Sequence, residues 1–236
     1  MKSKYQQSGF TLLEIIVVVT IMVLLAGAIL PMAAQGIVSS RNDASREIVR
    51  GFADASLQFA ADVLRAPATP TELNTNTTHI PGWNGPYTQP ILDTTTPGTT
   101  QGGYGNDGFG RPILFSTISN VSILISSLGE DGLAGTADDI ESTINITPIL
   151  RKETLTRMTT INNAIVSYNS ANLPNNPLPV SWTSAYNSLV SQNYLPSDSR
   201  YLYDAWGSLF TPDPASVSPV TKVKSPNMQA IPPSGN

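Results

Sequence analysis

The chain has 236 residues, of which 40% are hydrophobic and only 13% charged, and its formal net charge at pH 7 is −4. That length predicts one or two domains, and the acidic balance argues against nucleic acid as a partner, because no basic field is present to replace phosphate counterions. The absence of cysteine excludes disulfides, thiol catalysis and zinc–thiolate sites, and a single histidine, His79, excludes multi-histidine metal sites and histidine-based catalytic triads.

Residues 10–30 form an apolar segment whose only charged residue is Glu14. As a helix the segment would span about 31 Å, enough to cross a hydrocarbon core of about 30 Å. Lys2 and Lys4 precede it, which places the N-terminus in the cytoplasm by the positive-inside rule. A secretory signal cleaved near residues 26–28 is the alternative, although its apolar region would be shorter, about 7–15 residues. We therefore predict a single transmembrane helix at 10–30.

Glu14 requires a partner, because a carboxylate inside the bilayer costs on the order of 3 kcal/mol. Cleavage after Gly9 would make Phe10 the new N-terminus and create an α-amine four residues from this carboxylate. In a stack of parallel helices, Glu14 of one subunit would neutralise the amine of its neighbour. The alternative is that Glu14 only reaches back to the membrane interface.

The stretch Gly9-Phe10-Thr11-Leu12-Leu13-Glu14, followed by an apolar run, resembles the class III signal of type IV pilins and type II secretion pseudopilins. The resemblance implies that a prepilin peptidase cleaves after Gly9 and N-methylates Phe10, and that Glu14 acts in assembly. It also implies an inner-membrane assembly platform and other pilins as partners. The implied location is the bacterial inner membrane, with the head outside the cytoplasm and the filament in the periplasm or at the cell surface.

A second apolar pattern follows the membrane segment. Its residues recur at intervals of three, four and seven, as on one face of an amphipathic helix that reaches about Arg65: Ile37, Ala44, Ile48, Phe52, Ala55, Phe59 and Val63. Pro67 and Pro70 end this pattern. Both patterns are expected to form one long helix, bent or loosened at Gly27 and Pro31. In many members of the family a proline stands where Pro31 falls.

Residues 67–106 are rich in Thr, Pro, Gly and Asn and are expected to form a long loop. Within it, residues 81–87 resemble the "GW-GPY" segment of major pseudopilins, and residues 107–112 resemble their "DPWGNPY" turn. A pair of strands is predicted at 113–116 and 121–126.

The next segment, residues 127–140, carries the candidate metal site. Asp131, Asp138 and Asp139 lie close together in sequence among glycines that let the backbone fold back. Ca²⁺ prefers six to eight oxygen ligands, and three carboxylates together with the carbonyls of a turn can supply them. The segment also matches the calcium loop of major pseudopilins, and the resemblance implies Ca²⁺ held by these three side chains and by the carbonyls of Leu128 and Thr136. The alternative is a solvated acidic turn.

From Arg151 the chain repeats its pattern. A second amphipathic helix is predicted to end before Pro174, and a short helix is predicted at 183–192. Residues 203–207 then parallel residues 106–110, so this half resembles a second, degenerate pseudopilin head without the calcium loop. The tail from residue 211 to 236, rich in Pro and Ser, is expected to be extended or partly disordered.

The sequence therefore predicts an α+β protein with a long N-terminal helix packed on a small antiparallel sheet head, followed by a second pilin-like head. The predicted divisions are a leader at 1–9, the membrane helix at 10–30, a first head at 31–150 and a second head at 151–236. The leading hypothesis is a structural subunit of a pseudopilus or type IV pilus-like filament, serving protein export of the type II secretion kind. The alternative is a minor or tip pilin acting as an adhesin or substrate-binding subunit. No constellation of catalytic residues is present, so an enzyme is not expected.

Overall fold

The computed structural model describes residues 11–88 and 105–229, without the side chains of residues 28–31 and 229. Its elements are, in chain order, helix α1 (Leu12–Val63), a 3-10 helix (Pro70–Leu73), strands β1 (Leu114–Ser119), β2 (Ser122–Ser127) and β3 (Ile140–Asn145), helices α2 (Thr147–Asn172) and α3 (Trp182–Ser191), a second 3-10 helix (Ser199–Tyr201), strands β4 (Thr211–Asp213) and β5 (Lys222–Lys224), and helix α4 (Pro226–Gln229). The predicted α+β class, with a long N-terminal helix and a small antiparallel sheet, is confirmed.

Helix α1 joins the two predicted helical patterns in one continuous helix of 52 residues. The helical backbone runs through Gly27 and Pro31, and the bend predicted there stays a prediction. The helix ends at Val63, just before the predicted Arg65. Leu64 has a φ of 61°, and this left-handed backbone stops the helical hydrogen bonding.

The predicted apolar face of α1 is right only in its second part. Phe52, Ala55 and Phe59 are buried, but Ile37 and Ala44 are exposed, so these two assignments are wrong. The face that α1 buries is shifted by one residue near its start and includes two serines: Ser45, Val49, Phe52, Ala53, Ala55, Ser56, Phe59 and Ala60. Hydrophobic periodicity misses such a shift, because a buried serine that is hydrogen-bonded does not count as an apolar residue.

The "GW-GPY"-like segment, residues 81–87, packs against the end of α1. The rings of Tyr87 and Phe59 meet edge to face, with centroids 5.7 Å apart. The hydroxyl of Tyr87 donates to Asp62 at 2.9 Å, and the indole N–H of Trp83 donates to the carbonyl oxygen of Glu72 at 2.8 Å. These contacts fix the loop that follows the helix.

The sheet has the order β1-β2-β3. The strands predicted at 113–116 and 121–126 are found slightly later in the chain, as β1 and β2. Strand β3 was not predicted, because four of the six residues in its sequence, IESTIN, are polar and it contains no regular run of apolar residues.

Helices α2 and α3 confirm the two helices predicted in the second half of the chain. Helix α2 begins at Thr147, before the predicted Arg151. The side chain of Asn145 accepts a hydrogen bond from the backbone N–H of Thr147 at 2.9 Å, and Pro148 lies in the first turn, where a missing N–H is harmless. Pro174 follows the end of the helix, as predicted.

The second half has its own hydrophobic core. It combines residues of α2 and α3 with residues that follow them: Ile161, Ala164, Ile165, Tyr168, Leu178, Trp182, Ala185, Tyr186, Leu189, Leu195, Phe210, Val220 and Val223. The last three lie in or next to the tail that was expected to be extended or partly disordered. For residues 211–229 the expected partial disorder is wrong, because β4 and β5 are extended, as the other part of the expectation had it, and pair antiparallel with Pro212 opposite Val223. The rest of the tail lies outside the described residues.

The described chain divides into two compact units. The first contains residues 11–50, 105–113 and 126–141, and the second contains residues 51–88, 114–125 and 142–229. The predicted division into two heads at residue 151 stays a prediction.

The core of the second half gives a prediction on stability. Phe210 is fully buried, whereas its neighbour Leu209 is exposed. Phe210→Ala should lower the free energy of unfolding by about 3–5 kcal/mol, because it removes a ring and leaves a cavity. Leu209→Ala should change it by about 0.5 kcal/mol or less. Urea unfolding of the full chain in detergent measures both, and equal effects of the two variants would contradict the described core.

Candidate functional site

The apolar start of α1 is exposed along its whole described length. Large side chains from Leu12 to Leu25 show between 45% and 77% of their surface. Among the described residues, α1 is the one helix that is long and apolar enough to cross a membrane, and nothing in the described chain buries that stretch. Such a surface needs a cover of lipid or of other apolar helices.

Thr11 caps the start of α1, which sequence reasoning did not foresee. The backbone N–H of Glu14 lies 3.3 Å from the hydroxyl oxygen of Thr11 and 3.1 Å from its carbonyl oxygen. The order Thr-x-x-Glu is the signature of a helix capping box, and it could have been read from the sequence. Because it caps the helix, Thr11 starts α1 beside the predicted cleavage site and fixes Glu14 in the first turn.

The acidic loop, residues 127–140, folds back through its own backbone. The N–H of Asp131 donates to Asp138 at 3.0 Å, and the N–H groups of Gly135 and Thr136 donate to Asp139 at 2.6 and 3.2 Å. The hydroxyl of Thr136 lies 2.8 Å from a carboxylate oxygen of Asp138 and 3.4 Å from one of Asp131. The loop therefore brings the carboxylates of Asp131 and Asp138 to one hydroxyl.

The electrostatics of the loop favour ionised carboxylates. The hydrogen bond from the backbone N–H of Asp131, with that from the Thr136 hydroxyl, lowers the pKa of the Asp138 carboxyl to about 2. One oxygen of Asp139, Oδ1, is buried and has no hydrogen-bond partner in the described chain. A buried carboxylate oxygen normally accepts a hydrogen bond or binds a cation, so a cation is a chemically suitable partner for Oδ1 of Asp139.

The predicted carbonyl ligands have other partners. The carbonyl of Leu128 accepts from the N–H of Gly132 at 3.0 Å, and that of Thr136 lies 3.4 Å from the N–H of Asp139. Within residues 11–88 and 105–229, no three Asp, Glu or His side chains form a group that could hold a metal ion. Cation binding here would therefore require the three aspartates to move closer together.

Asp107 organises a turn that we call the first aspartate turn, residues 106–112. One of its carboxylate oxygens accepts from the N–H groups of Phe109 and Arg111 at 2.9 and 2.8 Å, and the other accepts from the hydroxyl of Ser127 at 2.6 Å. Asp107 is 5% exposed. Because Ser127 begins the acidic loop, one buried carboxylate connects the turn to that loop.

The first aspartate turn also rests on α1. The N–H of Gly108 donates to the hydroxyl of Ser45 at 2.9 Å, and that hydroxyl donates to the carbonyl of Arg41 at 2.9 Å. A Cβ at Gly108 would lie 2.1 Å from the same carbonyl oxygen, so glycine is required there. This contact explains the buried Ser45.

Asp204 organises a second aspartate turn, residues 203–209, with matching hydrogen bonds. Its Oδ1 accepts from the N–H groups of Trp206 and Ser208 at 3.0 and 2.9 Å, and its Oδ2 accepts from the hydroxyl of Ser225 at 2.6 Å. The N–H of Ala205, the residue after Asp204, donates to the hydroxyl of Thr154 on α2 at 3.0 Å. In the first turn the N–H of Gly108, the residue after Asp107, donates to Ser45 on α1 in the same way. The two turns therefore share one plan.

The comparisons with known proteins decide the nature of the N-terminus. Residues 4–30 match the family model described as the prokaryotic N-terminal methylation motif. The chain begins with a prepilin-type signal. This signal fits a type IV pilin-like protein that is processed at its N-terminus. No curated protein and no solved structure matches the chain.

The prepilin-type signal includes three of the predicted functional residues. Gly9 and Phe10 lie within the matched range but outside the described residues, so the geometry of the cleavage site is not part of the structure. Glu14 lies in the first turn of α1, and it is exposed on the helix. Its place fits the signal, and its role in assembly stays a prediction.

Proposed function

We propose that this type IV pilin-like chain is a structural subunit of a pseudopilus or type IV pilus-like filament. The observation that supports the proposal most is the prepilin-type signal, which continues directly into an exposed apolar helix. A helix of this kind is stable in a bilayer before assembly and against other such helices after it. The abundance of the chain in purified filaments separates this role from that of a scarce tip pilin.

In the proposed assembly, Glu14 neutralises the N-terminus of a neighbouring subunit. Cleavage after Gly9 leaves Phe10 with a charged amine, and both charges then lie in an apolar surrounding. Because a low dielectric strengthens the attraction of opposite charges, the pair would fix the axial register of one helix against the next. Lys2 and Lys4 favour a cytoplasmic N-terminus in the inner membrane, with the remainder of the chain on the far side.

We also propose that the acidic loop binds a structural Ca²⁺. Support comes from its all-oxygen donor set, from the low pKa of Asp138 and from the buried oxygen of Asp139 that has no partner in the described chain. Asp131, Asp138 and Asp139 would supply side-chain ligands, and Leu128 and Thr136 would supply carbonyls once the loop closes. A cation would remove the repulsion among the carboxylates and draw them together.

The second half of the chain is, in our proposal, a second pilin-like head that arose by internal duplication. Support comes from the two aspartate turns, whose buried carboxylates accept the same set of backbone and serine hydrogen bonds. The second copy holds Asn227 beside Asp204, at 2.9 Å, instead of an acidic loop. This head would therefore be stable without a cation.

The prepilin-type signal predicts the mature N-terminus. We expect intact mass to show a chain that starts at Phe10 and carries one added methyl group. Gly9→Ala should impair cleavage, because the resemblance implies that a prepilin peptidase recognises that glycine. Ala28→Leu is the control, since it removes the small residue that the alternative signal-peptidase site at residues 26–28 requires just before its cleavage point. Cleavage that stops with Ala28→Leu and continues with Gly9→Ala would contradict the proposal.

The calcium proposal predicts a cation-dependent melting temperature. With Ca²⁺ at about 100 times Kd, Tm of the full chain in detergent should rise by about 5–10 °C over its value in chelator. Mg²⁺ should raise it less, because Mg²⁺ requires a tighter octahedron and loses its waters reluctantly. Asp138→Asn should abolish the rise, and Asp213→Asn, outside the loop, should keep it. A wild-type Tm that chelator leaves unchanged would identify the loop as a solvated turn.

A further inference from the structure

Arg111 binds the acidic loop from outside. Its guanidinium donates to the carbonyl oxygens of Gly129 and Glu130, the latter at 2.8 Å, and so holds two successive carbonyls at the start of the loop. Hydrogen bonds from a charged donor are stronger than neutral ones, and the planar guanidinium suits two acceptors at once. The guanidinium also lies 5.8 Å from the ring centroid of Phe109, which limits its movement.

The loop leaves room for this side chain. Gly132 has a φ of 73°, and a Cβ built there would lie 2.7 Å from Nε of Arg111. The absence of a side chain at Gly132 therefore allows the guanidinium to lie against the backbone of the loop. The N–H of Gly132 in turn donates to the carbonyl of Leu128, so a backbone hydrogen bond closes the turn that Arg111 contacts. We call the contact of the Arg111 guanidinium with the carbonyls of Gly129 and Glu130 the clamp.

The backbone of Arg111 is itself fixed. The buried carboxylate of Asp107 accepts its N–H at 2.8 Å, and its carbonyl accepts the N–H of Asp107 at 2.7 Å. The same carboxylate accepts the hydroxyl of Ser127 at the start of the loop. Both ends of the clamp, the arginine and the loop, are thus connected to one buried group.

The second aspartate turn provides an internal comparison. Ser208 occupies the place of Arg111, with its N–H bonded to Asp204 in the same way. Its hydroxyl accepts from the side chain of Asn227 at 2.9 Å, and no acidic loop follows Ser225 in the described chain. The arginine is present in the copy that carries the acidic loop and is replaced in the copy that lacks it.

We infer that Arg111 is the positioning residue of the acidic loop: it holds the folded-back start of the loop, from which the three aspartates can close on a cation. The inference rests on the proposed calcium site. A simple charge effect would act in the opposite direction, because a positive charge near the loop repels a cation. Removal of Arg111 therefore weakens cation binding if the residue positions the loop, and strengthens it if the residue acts only as a charge.

The test uses the full chain in detergent and compares Arg111→Met, Arg111→Lys and the control Arg200→Met. Arg200 is an exposed arginine that pairs with Asp198, outside the acidic loop. Arg111→Met should raise the Kd for Ca²⁺, measured by calorimetry, by about 10–100-fold, the usual effect of losing a group that orients ligands. Arg111→Lys should also raise it, because lysine keeps the charge but not the planar fork. Arg200→Met should leave it unchanged.

Hydrogen exchange in chelator tests the clamp without a cation. In Arg111→Met the amide of Gly132 should exchange faster than in the wild type, while the amide of Ala205, in the second aspartate turn, should not change. An unchanged or lower Kd, or exchange that rises equally at both amides, would overturn the inference. If the wild type binds no Ca²⁺, the calcium proposal fails, and the Gly132 amide alone decides: faster exchange supports the clamp and unchanged exchange overturns it.

Discussion

The exposed apolar surface of the first half of α1 is the main constraint on this chain, because it must be covered by lipid or by other apolar helices. Burial of apolar surface is worth about 25 cal/mol per Å², so a helix whose large side chains stay exposed over several turns is unstable in water on its own. Helix α1 is continuous, so the element whose first half needs an apolar cover also contains the buried residues Phe52 and Phe59. In our proposal Glu14, the one charged residue in that surface, makes the specific contact between subunits.

The folded part depends on a second constraint, the burial of a carboxylate at a turn. Asp107 and Asp204 each accept two backbone N–H groups and a serine hydroxyl, which offsets the cost of removing the charge from water. The two turns differ in the segment after the serine. After Ser127 the chain enters the acidic loop with its arginine clamp, whereas after Ser225 an asparagine completes the hydrogen bonding. In our proposal one head is thus stabilised by a cation and the other is not.

The elements with regular apolar spacing could be predicted from the sequence. Helices α1, α2 and α3 and strands β1 and β2 are confirmed, with ends that differ by a few residues. The order of the described tail was not predicted, because Val220 and Val223, which lie in the core of the second half, stand among polar and proline residues and form no apolar pattern of their own. The composition of the tail alone does not predict contacts with residues far away in the sequence.

The candidate site was predicted in part. The prepilin-type signal is a local motif and was recognised from adjacent residues, and the matched family model agrees with it. Asp107 and Arg111 belong to a segment that resembles a known turn, but their contacts with Ser127 and Gly129 connect residues far apart in the chain. The parallel between residues 106–110 and 203–207 indicated from the sequence that the two turns are alike, but it did not indicate these long-range contacts.

The central claim of our proposal, that Glu14 of one chain pairs with the N-terminus of a neighbour in a filament, is tested most directly by a competition experiment. Wild type and Glu14→Gln are produced together, and mass spectrometry measures the ratio of the two chains in the membrane and in purified filaments. Glu47→Gln, at an exposed position later in α1, is the matched control. If a buried charge loses its partner, we expect Glu14→Gln to be depleted in filaments by about tenfold or more, with the control at its membrane ratio. Equal incorporation of all three chains would contradict the claim.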